Sequence, residues 1–469
     1  MSNSVFSFPL SPKKVITLMG FVICVFAYLI LKETPLPRVI VMGGAFSAVV
    51  TFWAFGLLQR EMITYILVAY IPFSLKLPFG FGSIIPGLNL TNILIVTVTV
   101  MWIKEWNKAG PLWAKSSLNL PIYLFWALGI VSIVRGLGYG GGYVSHAFIS
   151  YFRKWIVPFF LYFLFLNSIY DKRIFKNIVI IIMMVTVMIG LMSIYEAREV
   201  EGRVAGVFQQ ANILAAFFNY YMFLPFGFFL LNFKRIKFWA MLLPVLICLR
   251  AIMVTFSRSA YLAFVAGMYM IMIFRSKLSL VLLVLTTWFL FQNPAFIPEA
   301  IRYRIGQTFA KQPAEMQTVG TLNEESLDKS AGNRIRLWQA ARWMIQENPI
   351  FGVGYNLFER KSLHYYSGAT LEDPHNSYLF IAAEMGIPVI LILLWILFQV
   401  FWNTHAVYKT TDDPFTKATT LGFLGGIFSL LVSNLYGSRF EYAELSSYFW
   451  ILAGLIVRLR TLEGAEVNG

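Results

Sequence analysis

Two of the four histidines in this 469-residue chain fall in one polar stretch, and one of them has a setting that chemistry could use. The run Asp373-Pro374-His375-Asn376 has the pattern of a helix start, with Asp373 as cap, Pro374 at the first helical position and His375 in the first turn. The positive end of a helix disfavours imidazolium, so such a histidine stays neutral and can accept a proton as a general base. A histidine there could equally just hydrogen-bond at an interface, and a lone histidine does not separate the two. On this reading Asp373 is a cap rather than a second catalytic group. His364 falls in a flexible-looking stretch, His146 in a Gly-rich outer loop and His405 inside, none with comparable context.

Arginines supply the second kind of chemistry. Arg258 stands where two apolar runs meet, Arg203 precedes Gly-Val-Phe208-Gln-Gln-Ala-Asn212, and Arg334 and Arg336 lead into Trp338. A guanidinium binds phosphate through paired hydrogen bonds and stays charged when partly desolvated. Such a cluster beside a neutral histidine suits a diphosphate. Snorkelling, or pairing with Glu196, Glu199 and Glu201, is the plainer alternative. Glu384 is the one carboxylate in the interior of an expected span. It would lie about 13.5 Å along a helix from His375 and half a turn round, too far for a direct proton relay, so a helix-joining role is expected. Pro388 removes the N–H that the carbonyl of residue 384 would use, which predicts a kink. Gly352 and Gly354 permit a tight backbone path, but Gly-x-Gly alone is a weak phosphate signal.

These residues need a frame, and the composition describes one. Hydrophobic residues make up 58% of the chain and charged residues 13%; a soluble chain needs more charge to cover its surface. Apolar runs recur at the length of about 17–25 residues that crosses about 30 Å of hydrocarbon. The chain reads as an all-α polytopic membrane protein with about 12–14 transmembrane helices. Expected spans are 15–31, 39–58, 62–75, 90–103, 120–134, 152–168, 177–195, 212–231, 238–254, 258–274, 278–292, 376–402, 416–436 and 443–457. The net charge of +15 fits loop charges that set orientation, with a share left for an anionic ligand, rather than nucleic acid. Cys24 and Cys248 fall in spans and form no disulfide framework or motif.

Lysine and arginine favour one set of short loops over the other by 18 to 11, which puts both termini in the cytoplasm and the long loop outside. Four regions follow: N-terminal helices over 1–200, central helices with outer arginines over 201–292, an outer loop over 293–375, and C-terminal helices with a tail over 376–469. A loop that long needs a functional explanation. Its stretch 311–330 is polar and aperiodic; then Asn333 can cap an amphipathic helix with Leu337, Trp338, Ala341, Met344 and Ile345 on one face, ended by Asn348-Pro349. Such a helix would lie along the membrane surface or roof a cavity.

Taken in order, Arg334-x-x-x-Trp338, Asn-Pro-Ile-Phe-Gly352-Val-Gly354, His375-Asn376-Ser-Tyr-Leu379 and Glu384-x-Gly386 resemble the O-antigen ligase and polymerase superfamily. Arg203…Gly206-Val-Phe208…Asn212 and Ser257-Arg258 also look like its pattern, so the resemblance covers 203–386. It implies a GT-C-like fold in the bacterial inner membrane and inverting, metal-independent glycosyl transfer without a cofactor. The donor would be an oligosaccharide on undecaprenyl diphosphate and the acceptor a glycan or lipid-linked glycan. A chain-length regulator or flippase would be the protein partner. His375 would be the base, Arg258 and Arg334 the diphosphate ligands, Arg203 a third, and Arg336 a substitute for Arg334. Glu372-Asp373 departs from the pattern; a carboxylate there could orient the imidazole or recruit a metal, and few other outer carboxylates converge to make a metal site.

The same motifs serve a polymerase, slightly favoured by the span count and long loop, and a ligase that uses lipid A core or another acceptor. A small-anion transporter of the bicarbonate type is the remote alternative, and its ionisable groups would be expected near the midplane rather than at one surface.

Overall fold

The computed structural model describes residues 60–76, 89–105, 113–169, 171–297, 299, 302, 329–367 and 369–467. The first two expected spans and residues 311–328 of the polar tract lie outside them. Helices α1 (Arg60–Tyr70), α2 (Leu90–Glu105) and α3 (Asn119–Arg135) come first. Helix α4 (Gly141–Tyr151) passes through a π-helical turn, Phe152–Ile156, into α5 (Val157–Ser168). His146 is therefore on a helix and not in the loop expected there. The middle of the chain forms α6 (Lys172–Glu196), α7 (Ala211–Tyr221), α8 (Phe223–Asn232), α9 (Leu242–Val254), α10 (Arg258–Arg275) and α11 (Lys277–Gln292). The outer segment folds α12 (Lys329–Glu347) and α13 (Phe358–Tyr365), and α14 (Ser377–Met385), α15 (Ile387–Thr410), α16 (Pro414–Ser433) and α17 (Ala443–Val467) complete the chain.

Among the described residues, six helical segments are long and apolar enough to cross a bilayer: Gly142–Ser168, Lys172–Glu196, Ala211–Asn232, Ile236–Val254, Ile387–Thr410 and Pro414–Ser433. The polytopic all-α reading holds. At the centre stands α16, packed on α7, α8, α10 and α15. Lipid offers no hydrophobic gain for helix pairing, so close approach at small residues does the work. A Cβ on Gly422 would sit 2.3 Å from the carbonyl oxygen of Phe223, and one on Gly426 2.3 Å from that of Tyr220. The buried hydroxyls of Thr419 and Thr420 bond back to the carbonyls of Phe415 and Thr416, both at 2.9 Å, so this polar helix leaves neither unsatisfied.

The expected span 376–402 is not one helix. The chain stops at Met385, turns at Gly386 with φ 94°, and restarts at Ile387. Pro388 is the cause, because it offers no amide to the Glu384 carbonyl. That carbonyl instead accepts from the Gly354 amide at 3.0 Å and the Ser132 hydroxyl at 2.8 Å. Alongside, the Val353 amide donates to Ala383 O and the Ile387 amide to Pro349 O, both at 2.8 Å. Residues 349–354 thus form a strap across the break. A Cβ on Gly386 would lie 2.0 Å from Ile350 O. Gly386→Ala adds that clash to a left-handed backbone and should cost about 3 kcal/mol or more. The expected readout is a lower melting temperature and loss of monodisperse protein in detergent.

Candidate functional site

Helix α14 begins three residues later than its sequence pattern implies. Asn376 is the N-cap, its Oδ1 accepting from the amides of Tyr378 at 3.0 Å and Leu379 at 3.1 Å. Asn376 outcompetes Asp373 because it reaches those amides directly. His375 consequently lies outside the first turn, at φ 48°, a backbone conformation that costs a non-glycine residue about 1–3 kcal/mol. Asp373 is not the cap. Its Oδ1 accepts from the His375 amide at 2.7 Å and lies 2.8 Å from Nδ1 of the imidazole. The carboxylate that fails to cap the helix turns back to hold the ring. Burial would raise the Asp373 carboxyl, but the His375 side chain and amide outweigh it and hold it below the usual carboxylate range.

A carboxylate on Nδ1 fixes the tautomer: Nδ1 carries the proton and Nε2 keeps its lone pair. Two further contacts fix the loop. Trp338 Nε1 donates to Pro374 O at 2.7 Å, and Asn333 Nδ2 to Glu372 Oε2 at 2.8 Å. Both come from α12. Since α12 starts at Lys329, Asn333 is inside the helix rather than its cap, and its amide ties the outer loop.

The turn between α16 and α17 secures the start of α14. Ser377 donates its amide to Asn434 O at 2.9 Å and its hydroxyl to Asn434 Oδ1 at 2.6 Å. That same Oδ1 takes the amides of Arg439 at 3.2 Å and Phe440 at 3.0 Å. Asn434 Nδ2 reaches Tyr220 on α7 at 3.2 Å. Arg439 is 1% exposed. Its guanidinium bonds Ser433 O at 2.8 Å and Ser259 Oγ at 2.7 Å. Burial lowers its pKa to about 10, with the nearby charge of Arg334 acting in the same direction.

The arginines can now be placed. Arg258 opens α10, next to the Ser259 that Arg439 holds. Arg334 is within electrostatic reach of Arg439 and one turn before Trp338 on α12. Arg336 sits about 200° round the helix from Arg334, so it does not share that face. Arg203 braces the site: Nε donates to Thr255 O at 2.9 Å and Nη2 to Asn212 Oδ1 at 2.6 Å, and Ser257 Oγ meets the same Asn212 oxygen at 3.0 Å. Thus Arg203 locks the turn that presents Arg258. Gln209, Phe256 and His375 all have positive φ, and each lies within the loops that carry these residues.

Sequence reasoning passed over two groups. Arg439 could have been noticed as an arginine and glutamate within one short turn between spans. Lys154, at the head of a span on the face poor in lysine, forms an ion pair with Glu441. Glu441 is raised by burial, against the pull of Lys154, and Asp373 and Glu359 lie near enough to raise it further. Glu384, 3% exposed, accepts from the Phe358 amide at 2.9 Å and so joins α13 to α14. Gly352 and Gly354 belong to the strap, and their amides donate to Asn348 O and Glu384 O, both at 3.0 Å. Among the described residues no group of three His, Cys, Asp or Glu side chains could hold a metal.

Residues 243–394 match the model of the O-antigen ligase family. That range holds Arg258, Arg334, Trp338, Gly352, Gly354, His375, Asn376 and Glu384, and it leaves Arg203 and Arg439 outside. No curated protein matches the chain. The match supports the superfamily resemblance and an O-antigen ligase/polymerase-type membrane enzyme of polysaccharide assembly, acting on lipid-linked polysaccharide. The structural prediction is that Asn434→Ala strands the donors of Ser377, Arg439 and Phe440, at about 1–3 kcal/mol for each one left buried. Melting of the purified protein should shift down well before any loss of helix content at room temperature.

Proposed function

We propose that the chain transfers a glycan from undecaprenyl diphosphate to an acceptor sugar hydroxyl, with His375 as general base. The observation that carries this is the Asp373–His375 pair, clamped by Trp338; supporting it, Arg439 bonds Ser259, the neighbour of Arg258 in the chain, and feels the charge of Arg334. His375 is 36% exposed at the side chain, so an incoming hydroxyl can reach Nε2. The acceptor oxygen attacks the anomeric carbon as its proton moves to Nε2. The bond from that carbon to the diphosphate oxygen breaks, and the electron pair leaves with the lipid diphosphate. Attack opposite the leaving group inverts the anomeric centre. Arg258 and Arg334 offset the charge that grows on the diphosphate, an electrostatic role strongest in a desolvated site. Arg439, held by neutral partners, adds to that positive field.

Protonated imidazole is then stabilised by the Asp373 carboxylate, which stays ionised. No step calls for a metal: the arginines take the place a divalent ion would fill at the diphosphate. The same reading puts the reaction on the outer face of the inner membrane, with both termini cytoplasmic, and favours a second lipid-linked repeat as acceptor.

Purified protein given one lipid-linked repeat unit and nothing else should yield a ladder of lengthening chains; release of lipid diphosphate only when lipid A core is added would instead make it a ligase. His375→Ala should lower turnover by about 10²–10⁴-fold, the usual worth of a positioned base. Asp373→Asn should fall in the same range with an unchanged fold, since the amide can hold the ring in the wrong tautomer. Arg258→Ala should be comparably impaired, and EDTA should leave the rate unchanged. Full activity of His375→Ala, or abolition by EDTA that only a divalent ion restores, would overturn the mechanism.

A further inference from the structure

We infer that a cleft beside the His375 centre is a second substrate site, which takes a lipid-linked sugar. It encloses about 650 Å³ between the end of α1, the start of α2, the π-helical turn and the first turn of α17, a volume suited to a small organic ligand. Its lining is of two kinds. Asn89, Asn92, Arg153 and Glu444 offer amide, guanidinium and carboxylate groups, the mixture of donors and acceptors that a hydroxyl-rich ring can satisfy. Phe148, Ile149 and Phe152 line its other flank and are 49%, 65% and 45% exposed. On a membrane protein such an exposed apolar flank faces hydrocarbon.

Only an amphiphile matches both. A soluble sugar would leave the apolar flank uncovered. A bare hydrocarbon chain would desolvate Arg153 and Glu444 without replacing their hydrogen bonds. The cleft is also linked to the reaction centre through the chain. The π-helical turn places Arg153 in the cleft while its neighbour Lys154 pairs with Glu441, whose charge reaches Asp373. On the other side Gln209 Nε2 donates to Leu75 O at 3.4 Å, which joins the Arg203 loop to the cleft wall. The Lys154–Glu441 pair thus links the segments that line the cleft to the carboxylate that holds the imidazole. This inference rests on the glycosyl-transfer reading above, but binding can be measured without turnover.

The test is native mass spectrometry of the full-length protein in detergent, titrated with an undecaprenyl-diphosphate disaccharide. Wild type should bind two copies. Ile149→Trp, which projects an indole into the cleft from an exposed position, should bind one, and Arg153→Ala should weaken that same copy at least tenfold. Arg258→Ala should lose the other copy and keep the cleft occupied. Undecaprenyl phosphate without sugar should occupy the cleft at least tenfold more weakly. A single copy on wild type, two copies on Ile149→Trp, or displacement of the cleft copy by phosphatidylglycerol as readily as by the glycolipid would overturn the inference. Retention of both copies by Arg258→Ala, with loss of one in Ile149→Trp, would instead sink the donor assignment while the cleft stands.

Discussion

A helix that stops inside an apolar bundle must find donors for the carbonyls it abandons, and the arrangement around His375 depends on how this chain meets that demand. Hydrocarbon supplies no hydrogen bonds, so an unpaired carbonyl costs several kcal/mol. The strap over Pro349–Gly354 supplies the missing amides to Ala383 and Glu384. Once that is done, α14 can be a short helix with its own axis rather than the first turns of a long span. Its N-terminus is then free to dock on Asn434, and His375 is set by that docking.

Much of this was written in the chain. Outside the outer segment, the helices from α1 onward coincide with apolar runs, six of them among the described residues as segments long enough to cross a bilayer, and the disruption at Pro388 follows from a missing N–H. Glu384 joins two helices because a buried carboxylate needs donors, and α13 offers them. What could not be read was competition between neighbours of similar type. Asp373 and Asn376 can both cap a helix, and only the docking of Ser377 on Asn434 decides that Asn376 does so and Asp373 turns to the imidazole. Arg439 and the Lys154–Glu441 pair were opaque for a different reason. Their partners lie far away in sequence, and periodicity carries no information about that pairing.

Local strain follows the same geography. Left-handed backbone occurs at Gln209, Phe256 and His375, in the loops that carry Arg203, Arg258 and the imidazole, and at Asn356 between the strap and α13. Strain of this kind persists only where the surroundings over-determine it. Here the surroundings are Arg203 with Asn212, Arg439 with Ser259, and Trp338 with Pro374. These braces tie the Arg203 segment to α7, the Arg439 turn to α10 and the His375 loop to α12.

The company kept by Arg439 has one more consequence. Its guanidinium is buried against serine oxygens and a carbonyl, with the Tyr220 hydroxyl and the like charge of Arg334 near enough to act on it. Like charges so placed repel each other, and an anion bound near both would offset that repulsion. Ligand occupancy and conformational stability are then one thermodynamic quantity viewed from two ends. An anion bound in this region would therefore make the folded protein harder to unfold as it fills the site.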